Sequence, residues 1–146
     1  MRRIVLGIVE HQGKLLVFEG KQSITERIFY RPLGGGLEEG EDPREGLIRE
    51  FREELGAEIE ILEQLPTLEN TYKWADQTKH EVAFLYRIRF LDGSIYDQQT
   101  LQVNDAPEVA FWKPLADFAS GDWLVPEGLT DLLSNEQTDI QTEGPD

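Results

Sequence analysis

Gly35-Gly36-Leu37-Glu38-Glu39-Gly40-Glu41-Asp42-Pro43-Arg44-Glu45-Gly46-Leu47-Ile48-Arg49-Glu50-Phe51-Arg52-Glu53-Glu54-Leu55-Gly56-Ala57 joins a glycine-rich loop to a strongly marked helix. Asp42 is a side-chain N-cap, Pro43 takes the first helical position, and Glu45 follows three residues after the cap as in a capping box. Gly56 supplies the stop. With Arg49 at zero and about 100° per residue, Leu47, Ile48, Phe51 and Leu55 fall between about 160° and 260°, a coherent buried stripe. Glu53, Glu50 and Glu54 lie near 40°, 100° and 140° by the same geometry, roughly one face beside that stripe.

Glu50 and Glu54 are four residues apart, where like charges on a helix repel each other. A bound divalent cation would turn the repulsion into ligation. Magnesium suits the position, because it takes hard carboxylate oxygens, keeps waters and bridges phosphates. Taken alone, the three glutamates read as an acidic solvated face. The loop changes that weighing, since Gly34, Gly35, Gly36 and Gly40 leave a backbone free to fold back over the helix and bring Glu41 to the same cluster. Arg49, one turn before Glu53, can pair with it and fix its direction.

Upstream, Ile4 to Val9 and Lys14 to Phe18 are β-rich runs joined by Glu10-His11-Gln12-Gly13, which predicts a hairpin. Arg27 to Leu33 reads as the strand that delivers the chain into the glycines. Downstream, Glu58 to Leu65, Thr67 to Trp74, Glu81 to Leu91 and Val109 to Lys113 read as strands, and Pro126 to Leu133 as a short final helix. Strands on both sides of one strong helix predict an α+β domain, a mixed sheet covered by helices.

The 146 residues fit one domain, expected to span residues 1–134. Asn135 to Asp146 contain four acids and no base, as expected of a solvated tail. The chain holds 29 acids against 14 bases, a net charge of −15, which argues against a nucleic-acid surface. Glu38 to Glu54 alone hold eight acids and three arginines. With no cysteine there is no disulfide framework, thiol nucleophile or thiolate-held metal, so oxygen ligands are the metal chemistry left. Ile4 to Val9 is too short for a signal-peptide core, and no run approaches the ~18 apolar residues of a membrane span. No membrane partner is expected, and a soluble cytoplasmic protein is the expectation.

The quoted segment resembles the Nudix box: a glycine, five residues, a glutamate, seven residues, then Arg-Glu-apolar-any-Glu-Glu-any-Gly-apolar. All seven fixed positions match, at Gly35, Glu41, Arg49, Glu50, Glu53, Glu54 and Gly56. Ala57 is smaller than the usual last apolar residue, and Leu33 stands where many members have proline. Resemblance to the Nudix hydrolase family implies a Nudix fold, an αβα sandwich around a mixed β-sheet. It also implies hydrolysis of a pyrophosphate bond in a nucleoside diphosphate linked to another moiety, with magnesium or manganese.

By position, the resemblance makes Glu50, Glu53 and Glu54 metal ligands, Arg49 the residue orienting them, Gly35 a donor through its carbonyl, and Glu41 a supporting residue. Members differ in whether a box glutamate or a later acid activates the water, so Asp105 and Glu108 are further candidates, with Glu108 preferred. The partner is a small-molecule nucleotide: a nucleotide sugar, a dinucleoside polyphosphate or a nucleoside triphosphate. Members are often dimers, which makes a homodimer an expectation. A non-catalytic nucleotide sensor on the same fold is the competing reading, and its usual sign, replaced box glutamates, is not seen. The loop lacks the ligand pattern of an EF-hand, and no Gly-Lys-Ser or Gly-Lys-Thr marks a phosphate loop.

An anionic substrate needs cations from the protein, and Arg31, just before the glycines, is the best placed. Tyr72 and Trp74 share one face of a regular strand, which makes them the candidate platform for a base.

Overall fold

A computed structural model describes residues 1–74, 76–104 and 106–134, leaving out the side chain of Trp74. Asp105 and the acidic segment 135–146 lie outside the described residues. The elements in order are β1 (Arg2–Ile8), β2 (Glu10–His11), β3 (Lys14–Lys21), β4 (Ile28–Gly36), α1 (Pro43–Leu55), β5 (Ile59–Gln64), β6 (Leu68–Trp74) and β7 (Gln77–Phe90). A 3-10 turn (Gly93–Asp97), β8 (Thr100–Gln102), β9 (Val109–Pro114) and α2 (Leu115–Ala119) follow, and 129–134 are helical.

The strands form one mixed sheet in the order β5-β7-β1-β4-β3-β9-β8, with β2 added on β3 and β6 on β7. β1 and β7 run parallel, and the other named pairs are antiparallel. Because side chains alternate across a strand, β1 supplies both layers. Val5 joins Leu33, Leu47, Phe51 and Phe90 under α1, while Ile4, Leu6 and Ile8 join Phe118, Leu129 and Leu133 on the opposite face. The result is the αβα arrangement expected for a Nudix fold.

Asp42 caps α1 by accepting from the Glu45 backbone N–H at 3.3 Å, and Gly56 ends the helix in the left-handed region at φ 63°. Leu47 and Phe51 are buried, each worth roughly 2–3 kcal/mol of apolar transfer. Ile48 and Leu55 pack on the core from partly exposed positions.

Five elements differ from expectation: β1 pairs with β4 and β7 and leaves the hairpin with β3 to Glu10–His11, and β7, β8, α2 and the final helix also depart. β7 starts at Gln77 because Gln77 to His80 pair with β6 in a hairpin, a polar stretch with no alternation to mark it. β8 and α2 are too short to show a period and owe their form to β9 and to the core around Phe118. The final helix begins at 129, after a turn in which the Leu129 N–H donates to the Pro126 carbonyl.

Candidate active site

β4 ends in glycines because β1 and α1 lie directly against it. A Cβ on Gly35 would fall 2.7 Å from the Glu50 carboxylate, so bare backbone at this point gives Glu50 its place. Gly34 has φ +148°, and a side chain there would collide with the Val5 carbonyl oxygen. Glu50, which helical geometry placed beside the apolar stripe, is thereby buried at 9% exposure.

Arg49 is the hub of the loop. Its Nε and Nη2 donate to the two Glu41 oxygens at 2.7 and 2.9 Å, and Nη2 also donates to the Gly36 carbonyl at 3.3 Å. Its Nη1 lies 3.1 Å from Glu53 Oε2 and 3.3 Å from Glu50 Oε1. Glu41 further accepts from the Glu38 backbone N–H at 3.0 Å. Both Glu41 oxygens are therefore taken up in holding Arg49 and the loop. The expected Arg49–Glu53 pair forms as well.

The hydrogen bonds from Arg49 and Glu38 hold the Glu41 carboxyl well below its ordinary 4.5, at about 2. A carboxylate depressed by folding adds stability that is complete above its unfolded value and is lost as pH falls through its folded one. The thermal midpoint of the parent should therefore drop between pH 4.5 and 2, and Glu41→Gln should show a shallower drop over the same window. Calorimetry at stepped pH checks this, and parallel curves for the two proteins would remove Glu41 from the explanation.

Glu54 is half-buried beside Glu50, which hydrogen-bonds to it. Burial, then the Glu50 charge, pushes the Glu54 carboxyl up to about 7. A divalent cation would supply the positive charge that this pair of acids lacks. Among the described residues, no three His, Asp or Glu side chains are set to hold an ion unaided. Glu53 is 60% exposed and paired with Arg49, so the fit is to two carboxylates with Gly35 alongside. This matches magnesium, which commonly takes one or two carboxylates and completes its shell with water and phosphate.

Arg31 projects beside this pair, its guanidinium 4.9 Å from the centre of the Phe18 ring and 3.5 Å from the Gly34 carbonyl. Its buried Nε has no hydrogen-bond partner, and burial lowers its pKa against the opposing pull of Glu54 and Glu50. A desolvated guanidinium with an unused donor is suited to an anion. Glu108 is exposed before β9 at the end of the loop from Val103, and its carbonyl accepts from Gln102 Nε2 at 3.3 Å.

Tyr72 is placed elsewhere. It lines a recess of about 620 Å³ with Met1, Arg2, Thr78, Lys79 and His80, none of them from α1 or the glycine loop. Trp74 pairs with Gln77 through its backbone, and its side chain lies outside the described residues. Sequence reasoning missed Asn104, which donates from its backbone N–H to the Glu54 carbonyl at 2.7 Å and from Nδ2 to the Glu53 carbonyl at 3.1 Å. A single asparagine in a loop carries no spacing signal that could have revealed it.

A family model for the NUDIX domain matches residues 1–133. The chain belongs to the Nudix family. It is 31% identical over 150 residues to the nucleoside triphosphatase NudI of Enterobacter sp. (strain 638), covering 94% of this chain and 91% of that protein. It is 35% identical over 61 residues to a CTP pyrophosphohydrolase of Escherichia coli (strain K12), covering 42% and 45% of the two chains. Among solved structures, that of the E. coli ORF135 protein superposes with a TM-score of 0.64 at 22% identity, over 99% of this chain and 94% of that one. Membership makes this Nudix protein a pyrophosphohydrolase of small-molecule nucleotides, in a family that generally uses divalent metals. No helix among the described residues is long and apolar enough to cross a membrane.

Proposed function

We propose that this Nudix enzyme is a magnesium-dependent hydrolase of nucleoside triphosphates, with manganese able to substitute. The observation that carries the reading is the Glu50–Glu54 carboxylate pair beside Gly35, with the buried, incompletely bonded Arg31 next to it. Resemblance to NudI over nearly the whole chain favours triphosphates over nucleotide sugars and dinucleoside polyphosphates.

Glu50 and Glu54 would hold the metal with the Gly35 carbonyl, and Glu53 would join by turning from Arg49. A bound divalent ion makes a coordinated water more acidic and neutralises charge on the phosphate oxygens. Arg49 keeps the three glutamates in register with the loop. Arg31 places its fixed positive charge beside the carboxylates, where it would offset the negative charge of the phosphates in the transition state. Glu108 is the base that takes the proton of the attacking water. Water adds across one P–O–P bond, yielding a nucleoside monophosphate and pyrophosphate. The reaction would run in the cytoplasm, where free nucleotides and magnesium are available and a chain without cysteine needs no oxidising folding environment.

The test is a substrate panel resolved by anion-exchange chromatography, with magnesium or with chelator: ribo- and deoxynucleoside triphosphates, nucleotide sugars, ADP-ribose and dinucleoside polyphosphates. Chelator-sensitive conversion of a triphosphate to monophosphate and pyrophosphate is the expected outcome. Turnover confined to nucleotide sugars or dinucleotides would overturn the substrate assignment. Nucleotide binding without any turnover would favour the sensor reading.

A further inference from the structure

The last turn of an α-helix leaves carbonyls without intrahelical partners, and each must find a donor. In α1, the Gly56 N–H donates to the Arg52 and Phe51 carbonyls, and the Ala57 N–H donates to Phe51. The next two carbonyls, those of Glu53 and Glu54, receive Asn104 Nδ2 and the Asn104 backbone N–H, at 3.1 and 2.7 Å. The donor comes from 51 residues beyond Glu53, in a segment that returns to the sheet at Val109.

The described residues on either side of Asp105 are tied to the core and to one another. Leu101 and Val103 are buried in the core beneath α1. The Gln102 side-chain amide donates to the carbonyls of Val103, Ala106 and Glu108, at 3.3, 3.1 and 3.3 Å. The Val103 N–H also donates to Glu108. Asn104 thus joins these residues to the helical turn that carries two acidic side chains of the site.

We propose that Asn104 is a positioning residue for the hydrolytic site: its Nδ2 bond to the Glu53 carbonyl, added to a backbone bond to Glu54 that any residue here keeps, sets the Glu53–Glu54 turn against Val103 and Glu108. The carboxylates and Glu108 thereby keep one separation. The inference rests on the proposed metal-dependent hydrolysis. It assigns Asn104 no contact with metal or substrate. Residues that orient ligands in this way typically change metal affinity or activity by about 10- to 100-fold when removed.

The experiment compares the parent, Asn104→Ala, Asn104→Asp and Arg52→Ala. Asn104→Asp keeps the size but loses the Nδ2 donor and sets a carboxylate against the Glu53 carbonyl. Arg52→Ala serves as control, because it removes the exposed Arg52–Glu58 pair from the same turn without touching the loop. Three quantities are read well below the thermal midpoint, the Mn²⁺ dissociation constant by titration calorimetry without nucleotide and kcat and KM for the triphosphate turned over in the substrate panel, and the midpoint is read beside them. Both Asn104 variants should lose about tenfold or more in Mn²⁺ affinity and kcat, with KM little changed and the protein folded, and Arg52→Ala should match the parent.

Parental Mn²⁺ affinity and kcat in Asn104→Ala would overturn the proposal. So would losses that only follow the unfolded fraction, or equal losses in Arg52→Ala. A parent that binds Mn²⁺ but hydrolyses no nucleotide would instead refute the proposed function, and the Mn²⁺ comparison between variants would still decide the role of Asn104.

Discussion

Glu53→Gln is expected to lower kcat by about a hundredfold or more, because under the proposed function it removes a charged oxygen from the set that would hold the metal. Of the three glutamates it has the smallest structural role. Its side chain is 60% exposed and pairs with Arg49 in an i,i+4 contact worth only about 0.3–0.5 kcal/mol. The thermal midpoint should therefore move by no more than about 2 °C. Steady-state kinetics beside calorimetry separates the two effects. Parental kcat in the mutant would remove Glu53 from the metal-binding set.

Arg49→Lys should behave differently, losing stability and activity together. A lysine keeps the charge but cannot present a planar fork to both Glu41 oxygens while also reaching the Gly36 carbonyl and Glu53. Glu41 and the loop carbonyl, both partly buried, are left with fewer donors. Loss of charge-assisted bonds there should cost about 2 kcal/mol, a fall of about 6 °C in the midpoint. The glycine loop then loses its hold on α1, and kcat should fall about tenfold or more. A variant with parental stability and kcat would show that the Arg49 bonds do not hold the loop in solution.

Sequence and structure agree best where the determining interactions are local. Asp42, Pro43 and Gly56 bound α1 through bonds that span at most five residues, so residue type and spacing were enough to place the helix. Leu47 and Phe51 could be read as its buried face for the same reason. Glu50 shows the limit. Its place on the helix followed from geometry, but its burial depends on a strand that meets it through a bare glycine. Arg31 was recognised by nearness to the glycines, whereas the Phe18 ring and unused Nε that define its surroundings are products of strand pairing. Asn104 and β8 were not legible, since their partners lie in distant segments and their own residues follow no period. Tyr72 lies on β6 as its strand reading expects, and its side chain lines the recess with Met1, Arg2, Thr78, Lys79 and His80, away from α1.

The decisive measurement is a Mn²⁺ titration in which the free-ion signal is followed by electron paramagnetic resonance and hydrolysis of the triphosphate selected by the substrate panel is assayed in the same samples. Binding and turnover should saturate together, Mg²⁺ should displace Mn²⁺, and Glu50→Gln should weaken both by about tenfold or more while the protein stays folded. Full turnover in chelator, or Mn²⁺ held as tightly by Glu50→Gln as by the parent, would contradict a metal centre built on the α1 carboxylates.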